Sequence, residues 1–177
     1  MLGMFLLSQG IIILIILVLL ILLSFVWPPD SPWSPWWKTS DDVSRAICTL
    51  AQVGKGDIVY ELGSGNGTTL KIARKEFHAK KCVGVEIDPL RVWVSRLLLK
   101  YYNITQITIL RNNFFQVDIT EATVVYVYLV PKALKKLQKK FLSELKPGTR
   151  VASYIYKIPY LKQVDINKQH HIYLYTI

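Results

Sequence analysis

Residues 57–67, DIVYELGSGNG, restrict the fold of this chain more than any other stretch. Ile58, Val59, Tyr60 and Leu62 are β-branched, aromatic or aliphatic, and Gly54 and Gly56 punctuate the chain just before them, the mark of a short buried strand. Gly63, Gly65 and Gly67 then alternate, and Thr68, Thr69 and Leu70 open an amphipathic helical pattern. A strand that bends through alternating glycines into a helix presents bare backbone at its tip. There the chain can take positive φ, and a flat ligand can lie against the main chain. Such a unit predicts an α/β sheet with a ligand at the carboxyl end of this strand.

Spacing and charge select among ligands. A dinucleotide turn, G-x-G-x-x-G, would need its third glycine at position 68, which is Thr68; the pattern here is G-x-G-x-G. Glu61, two residues before Gly63, brings a carboxylate to the turn, so a pyrophosphate is disfavoured and a cationic group favoured. Glu86 closes the next strand, residues 81–87, 19 residues past Gly67. An acid at that spacing accepts hydrogen bonds from ribose hydroxyls. A nucleoside with an amino group and no phosphate satisfies both carboxylates. S-adenosylmethionine is such a molecule; a nicotinamide dinucleotide is not. Glu61, Gly63, Ser64, Gly65, Gly67 and Glu86 form the expected cofactor-binding set.

ELGSGNG at 61–67 followed by VGVEID at 83–88 resembles the first two motifs of class I S-adenosylmethionine-dependent methyltransferases. PWSP at 32–35, NNFF at 112–115, VVYVYLVP at 124–131 and LKPGTRVAS at 145–153 narrow the resemblance. They are similar to the small protein-lysine methyltransferases that include the membrane-anchored enzyme of the ATP synthase c-subunit and its soluble archaeal relatives. The similarity spans roughly residues 32–157. Two departures are Glu61 for the usual aspartate and Asn66 for the usual acid between the last two glycines. The resemblance implies a Rossmann-like sheet with helices on both faces, closed by a C-terminal hairpin of which one strand is antiparallel. It implies that Asn113 and Phe114 hold the adenine, by hydrogen bond and by stacking. It also implies that Trp33 in PWSP folds over the cofactor cleft; an interfacial aromatic belt with Trp36 and Trp37 is the other reading of that segment.

Alternation along the chain fits that fold. Helices are expected at 40–52, 68–76, 89–101 and 132–145, and strands at 57–62, 81–87, 107–111, 123–129 and 150–155. Residues 161–166 and 171–176 read as the closing hairpin. Methyl transfer from a sulfonium needs a neutral, well-positioned acceptor rather than a metal, and a lysine amine must first lose a proton. Tyr126 and Tyr128 alternate onto one face of a strand, as do Tyr154 and Tyr156 on its neighbour, and aromatic rings attract an amine by cation–π contact. Tyr128, at the strand tip, is the expected catalytic residue; Trp33, Tyr128 and Tyr154 are the expected substrate-binding set. The tip reads YLVP rather than the N-P-P-Y of many nucleic-acid methyltransferases, which argues against a nucleic-acid substrate.

The amino terminus sets the location. Residues 1–27 carry no charge, and 11–23 are unbroken aliphatic, enough for a bilayer span of about 20 apolar residues. No basic start and no small-residue cleavage site mark a signal peptide, so a retained anchor is expected, with its span nearer 10–27. The expected organisation is a transmembrane anchor at 1–27, a Pro/Trp-rich linker at 28–40 and a methyltransferase domain at 41–177. Lys38 and Arg45 follow the span and no cation precedes it, which predicts an outside amino terminus and a cytoplasmic domain, or a matrix-facing one in an organelle. All 22 Lys and Arg lie from Lys38 onward against 11 acids, a surplus of 11 that calls for an anionic neighbour. Beside an anchor, an anionic lipid surface is the simplest one. The densest run, Lys132, Lys135, Lys136, Lys139 and Lys140, flanks Leu134, Leu137, Phe141, Leu142 and Leu145, which are expected to face the core. Cys48 and Cys82 have no ligand spacing and read as buried thiols; no metal is expected. The sequence thus predicts a membrane-anchored methyltransferase acting on lysines of a membrane-associated protein. A lipid or small-amphiphile N- or O-methyltransferase is the alternative, and an anchored protein that binds cofactor without turnover is a third.

Overall fold

The structure, a computed structural model, describes residues 2–26, 37–159 and 161–177. The chain divides into two units at Lys38. The first holds one helix, α1 (Leu2–Val26), whose side chains from Leu6 to Leu23 are all exposed. Twenty-five residues at about 1.5 Å each reach ~37 Å, and the window Leu6–Leu23 is long and apolar enough to cross a membrane by length and composition. Ser8, Gln9 and Gly10 do not interrupt it, although the expected span lies nearer 10–27.

The second unit contains α2 (Asp41–Leu50), β1 (Ile58–Leu62), α3 (Thr68–Lys75), β2 (Lys81–Glu86), α4 (Pro89–Tyr101) and β3 (Ile107–Arg111), then β4 (Val124–Val127), α5 (Pro131–Glu144), β5 (Arg150–Tyr154), β6 (Gln163–Asn167) and β7 (Ile172–Thr176). They build one sheet in the order β3-β2-β1-β4-β5-β7-β6. The first five strands are parallel, and β7 is antiparallel to both of its neighbours, so the sheet is mixed as expected.

The chain moves outward from β1 to β3, then restarts at β4 and moves the other way. Right-handed crossovers therefore put α3 and α4 on one face and α5 on the other. One cluster joins Val43 and Ile47 of α2, Leu70 of α3, and Val92 and Leu99 of α4 to Val59, Ile109, Val124, Tyr126 and Ala152 of the sheet. Val125, Val127 and Val151 point the opposite way, towards the face where Leu134, Leu137 and Phe141 of α5 are buried. Leu142, expected among them, is 59% exposed. Position 142 lies one residue past Phe141, about 100° round the helix, which turns it away from the sheet.

Below the strands, a polar latch fixes the amino ends. Asp57 pairs with the Arg150 guanidinium, accepts the Thr123 hydroxyl at 2.6 Å and accepts the Gly54 amide at 2.8 Å. Arg150 also donates to the carbonyls of Ala51 and Gln52, so α2, β1, β4 and β5 share one knot. At the β3 edge, Arg96 of α4 donates twice to the Ile109 carbonyl, at 3.0 and 2.6 Å.

Candidate active site

The strand order reverses between β1 and β4, and sheets of this kind hold their ligands at that point, above the carboxyl ends of the strands. The β1 tip leads into Gly63, Gly65 and Gly67 at φ 83°, 53° and 67°, left-handed conformations that a side chain would strain. The Gly63 and Ser64 amides both donate to the Val85 carbonyl, at 2.8 and 3.0 Å, which pins the turn to β2.

Glu86 does more than await a ribose. Its Oε2 accepts the Gly65 amide at 2.8 Å, and its Oε1 accepts the amides of Ile87 and Asp88 at 2.9 and 3.0 Å. A carboxylate has about four acceptor sites, so one remains on Oε2 for a hydroxyl. Ser95 of α4, unmarked in the sequence, donates to the Gly65 carbonyl at 3.0 Å. The Gly65 peptide is thereby clamped from both sides. The only sequence trace of that role is a small polar residue between Val92 and Leu99 on the buried stripe of α4.

Ser64 turns its side chain down rather than out. Its buried Oγ lies where a Cβ on Gly84 would come within 2.6 Å, so β2 must carry glycine at that position. Neither Ser64 Oγ nor Glu61 Oε2 has a hydrogen-bond partner among the described residues. Asn66, in place of the usual acid, accepts the Thr68 hydroxyl at 2.8 Å and braces the start of α3, where the cap residue Gly67 has no side chain.

Glu61 is 5% exposed and sits in register with Gly84 on one side and Tyr126 on the other. Burial pushes its carboxyl up to about 8, with the Glu86 charge adding to the shift and donation from Thr69 and the Leu70 amide opposing it. A buried carboxylate with an idle oxygen calls for a cation. The ammonium of S-adenosylmethionine is such a group, so the turn, Glu61 and Glu86 fit that cofactor.

After β3, the Asn112 amide donates to the Glu86 carbonyl at 3.1 Å, bringing 112–115 beside the β2 tip. Asn113 Oδ1 accepts the Phe115 amide at 3.0 Å, which leaves the Nδ2 donors for an adenine. Phe114 is buried with its ring 4.5 Å from that of Phe115, over which Lys136 places its ammonium at 4.3 Å.

Tyr128 follows β4 directly, half-buried, with its ring edge-on to Tyr154 at 4.6 Å between centroids. Burial, with Tyr154 and Tyr156 nearby, raises its pKa, so its hydroxyl stays protonated at neutral pH. Tyr126 is sealed, its hydroxyl 2.9 Å from Thr39 Oγ1. Tyr154 and Tyr156 do not share a strand face: β5 ends at Tyr154, and Ile155 at φ 65° reverses the chain. Trp33 lies outside the described residues. Cys48 and Cys82 are free and buried, each thiol pushed up to about 12, chiefly by burial. Among the described residues no group of three or more His, Cys, Asp or Glu gathers to hold a metal.

The chain is similar to known proteins. Residues 61–165 match the family described as the ANTKMT methyltransferase domain. The chain is 39% identical over 153 residues to a protein-lysine N-methyltransferase of Saccharolobus islandicus, covering 82% of this chain and 95% of that one. It is 29% identical over 103 residues to the ATP synthase c-subunit lysine N-methyltransferase of Xenopus laevis, covering 58% and 45%. Among solved structures, an RNA methyltransferase from Salinibacter ruber in complex with S-adenosyl-L-homocysteine is 31% identical. It has a TM-score of 0.76 and covers 80% of this chain and 94% of that one.

Proposed function

The chain belongs to the ANTKMT methyltransferase family, and from that membership we propose that it is a membrane-anchored protein-lysine methyltransferase acting on a membrane-associated protein. S-adenosylmethionine is its cofactor. When bound, the cofactor supplies an electrophilic methyl group on a sulfonium. The protein's own part is to hold both partners in line and keep the acceptor neutral.

The observation that carries the reading is the unpartnered Glu61 oxygen beside three left-handed glycines. It supports an ammonium-bearing, phosphate-free nucleoside. Glu86 holds the ribose end through its remaining acceptor site, and 112–115 walls the base. Tyr128 meets the acceptor. Its phenol is neutral, so it positions a lysine nitrogen through its oxygen and ring face rather than removing the proton as phenolate. The proton goes to water before attack, and the half-buried Tyr128–Tyr154 pair favours the uncharged amine by withholding solvent. The protein-lysine relatives support the acceptor class. The length and all-round apolar surface of α1 support the anchor.

An RNA acceptor is a second reading, favoured by the cationic surplus and by the Salinibacter protein's name. Full-length protein incubated with methyl-labelled cofactor and a membrane extract separates these. Lysine methylation of a protease-sensitive membrane band is expected. Label removed by ribonuclease, or extracted with lipid, would replace this acceptor with RNA or an amphiphile. Tight cofactor binding with no label anywhere would leave a non-catalytic binder.

A further inference from the structure

Helix α4 is apolar on two opposite sides. Val92, Ser95 and Leu99 are buried against the sheet. On the far side, Leu90 is 44% exposed, Trp93 62%, Val94 37%, Leu97 51% and Tyr101 76%. Those spacings of three and four draw one stripe along the outward pole. A soluble surface helix places charge at that pole. Here the cations stand beside it instead. Lys100 lies along one flank and Arg91 along the other, while exposed Tyr102, the C-cap, packs edge-on to Tyr101 at 5.0 Å with the Lys75 ammonium 5.5 Å from its ring centre. Aromatic and aliphatic residues at the pole with Lys and Arg at the shoulders match the cross-section of a helix lying in a bilayer interface, its cations reaching up to lipid phosphates.

We propose that the outward face of α4 docks on an anionic membrane surface, as a second contact beside the anchor. Three observations favour lipid over a protein partner. The exposed stripe carries no acid, as expected for a face that meets anionic headgroups. The domain around it has 11 more cations than acids. Only residues 27–37 separate α1 from the second unit, and eleven residues reach at most about 40 Å, so a bilayer holding α1 is within range. The second and third of these rest on, or gain from, the anchored reading, whereas the stripe stands without it. Asp88, the cap of α4, follows Glu86 by two residues, so docking brings the rim of the cofactor site to headgroup level. An acceptor lysine at the foot of a membrane protein would then meet the site without leaving the interface.

The two native thiols are buried, so an introduced cysteine can carry an environment-sensitive dye alone. Full-length protein is labelled at Leu97→Cys or, as a control, at Lys168→Cys in the β6–β7 turn. Each is incorporated into vesicles of phosphatidylcholine with phosphatidylglycerol. Flotation is measured first, then emission with and without brominated acyl chains. Expected are a blue-shifted signal at 97 that bromine quenches and a water-like signal at 168. Co-flotation with water-like emission at 97 would overturn the docking face and leave the anchor standing. A blue shift that bromine does not quench would mean a protein covers the face, which also overturns it. No flotation at all would defeat anchor and docking together.

Discussion

Single atoms decide the site, and Glu61 Oε2 first among them. A carboxyl at about 8 is largely protonated at neutral pH before cofactor arrives, and its ammonium partner requires the ionised form. Binding therefore releases a proton, and affinity should rise by up to about tenfold per unit between pH 6 and 8. Calorimetry in buffers of different ionisation heat measures that proton directly. Glu61→Gln should abolish the release and flatten the pH dependence, while weakening binding at pH 8 by roughly 1.5–3 kcal/mol. Without cofactor the linkage runs the other way. The folded chain holds a proton that the unfolded chain gives up above about 4.5, so this group's contribution to stability declines as pH rises from 4.5 towards 8. The variant's melting temperature should lose that slope. Gly84 is the second decisive atom count. A methyl there would sit 2.6 Å from Ser64 Oγ and 2.7 Å from Ile109 Cδ1. Gly84→Ala should cost about 1–3 kcal/mol in stability, and it should also loosen cofactor binding because Ser64 belongs to the glycine turn. Unfolding and binding titrations on the one variant read both. A loss of stability with an unchanged dissociation constant would free the turn from Gly84.

Elements were legible wherever local pattern and tertiary role agree. Helix 89–101 and strand 107–111 match α4 and β3 residue for residue, because Asp88 caps the helix, accepting the Arg91 amide, and Pro89 starts it, while alternation fixes the strand. The glycine turn and both carboxylates were legible too, since their spacing is the signal. What escaped is what only packing decides. Tyr156 read as a strand partner of Tyr154, but Ile155 takes a left-handed turn with the Ser153 hydroxyl bonded to the Tyr156 carbonyl at 2.6 Å. Nothing in SYIY announces that. Ser95 looked like any small helix residue, and the polar latch of Asp57, Thr123 and Arg150 joins residues 66 and 93 positions apart. The latch nevertheless ties the amino ends of β1, β4 and β5 to the end of α2. Asp57→Ala would strand the half-buried Arg150 guanidinium without its partner. Breaking such a pair costs about 3 kcal/mol or more, which for a domain of this size lowers the melting point by ~10 °C. Thermal denaturation checks it, and cofactor affinity below the transition should hold, because the latch sits at the opposite end of the strands from the site.

At the scale of the molecule, the proposed tether and the chemistry are separable. Removing residues 1–26 should leave the dissociation constant for S-adenosylmethionine unchanged, since every residue assigned to the cofactor lies in the second unit. Turnover on a bilayer-embedded acceptor should fall by at least about tenfold, because the tether supplies effective concentration rather than contacts. Parallel assays on an embedded and a detergent-released acceptor would show it, and an equal loss on both would argue that α1 supports the fold instead. The rims of the sheet carry a further consequence. At one rim the Arg96 fork occupies the Ile109 carbonyl; at the other, β6 slips register between Gln163 and Asp165 and turns Val164 outward. Neither border offers a straight ladder for a neighbour to copy. On the anchored reading proposed above, copies held on one bilayer can therefore collide edge to edge without polymerising.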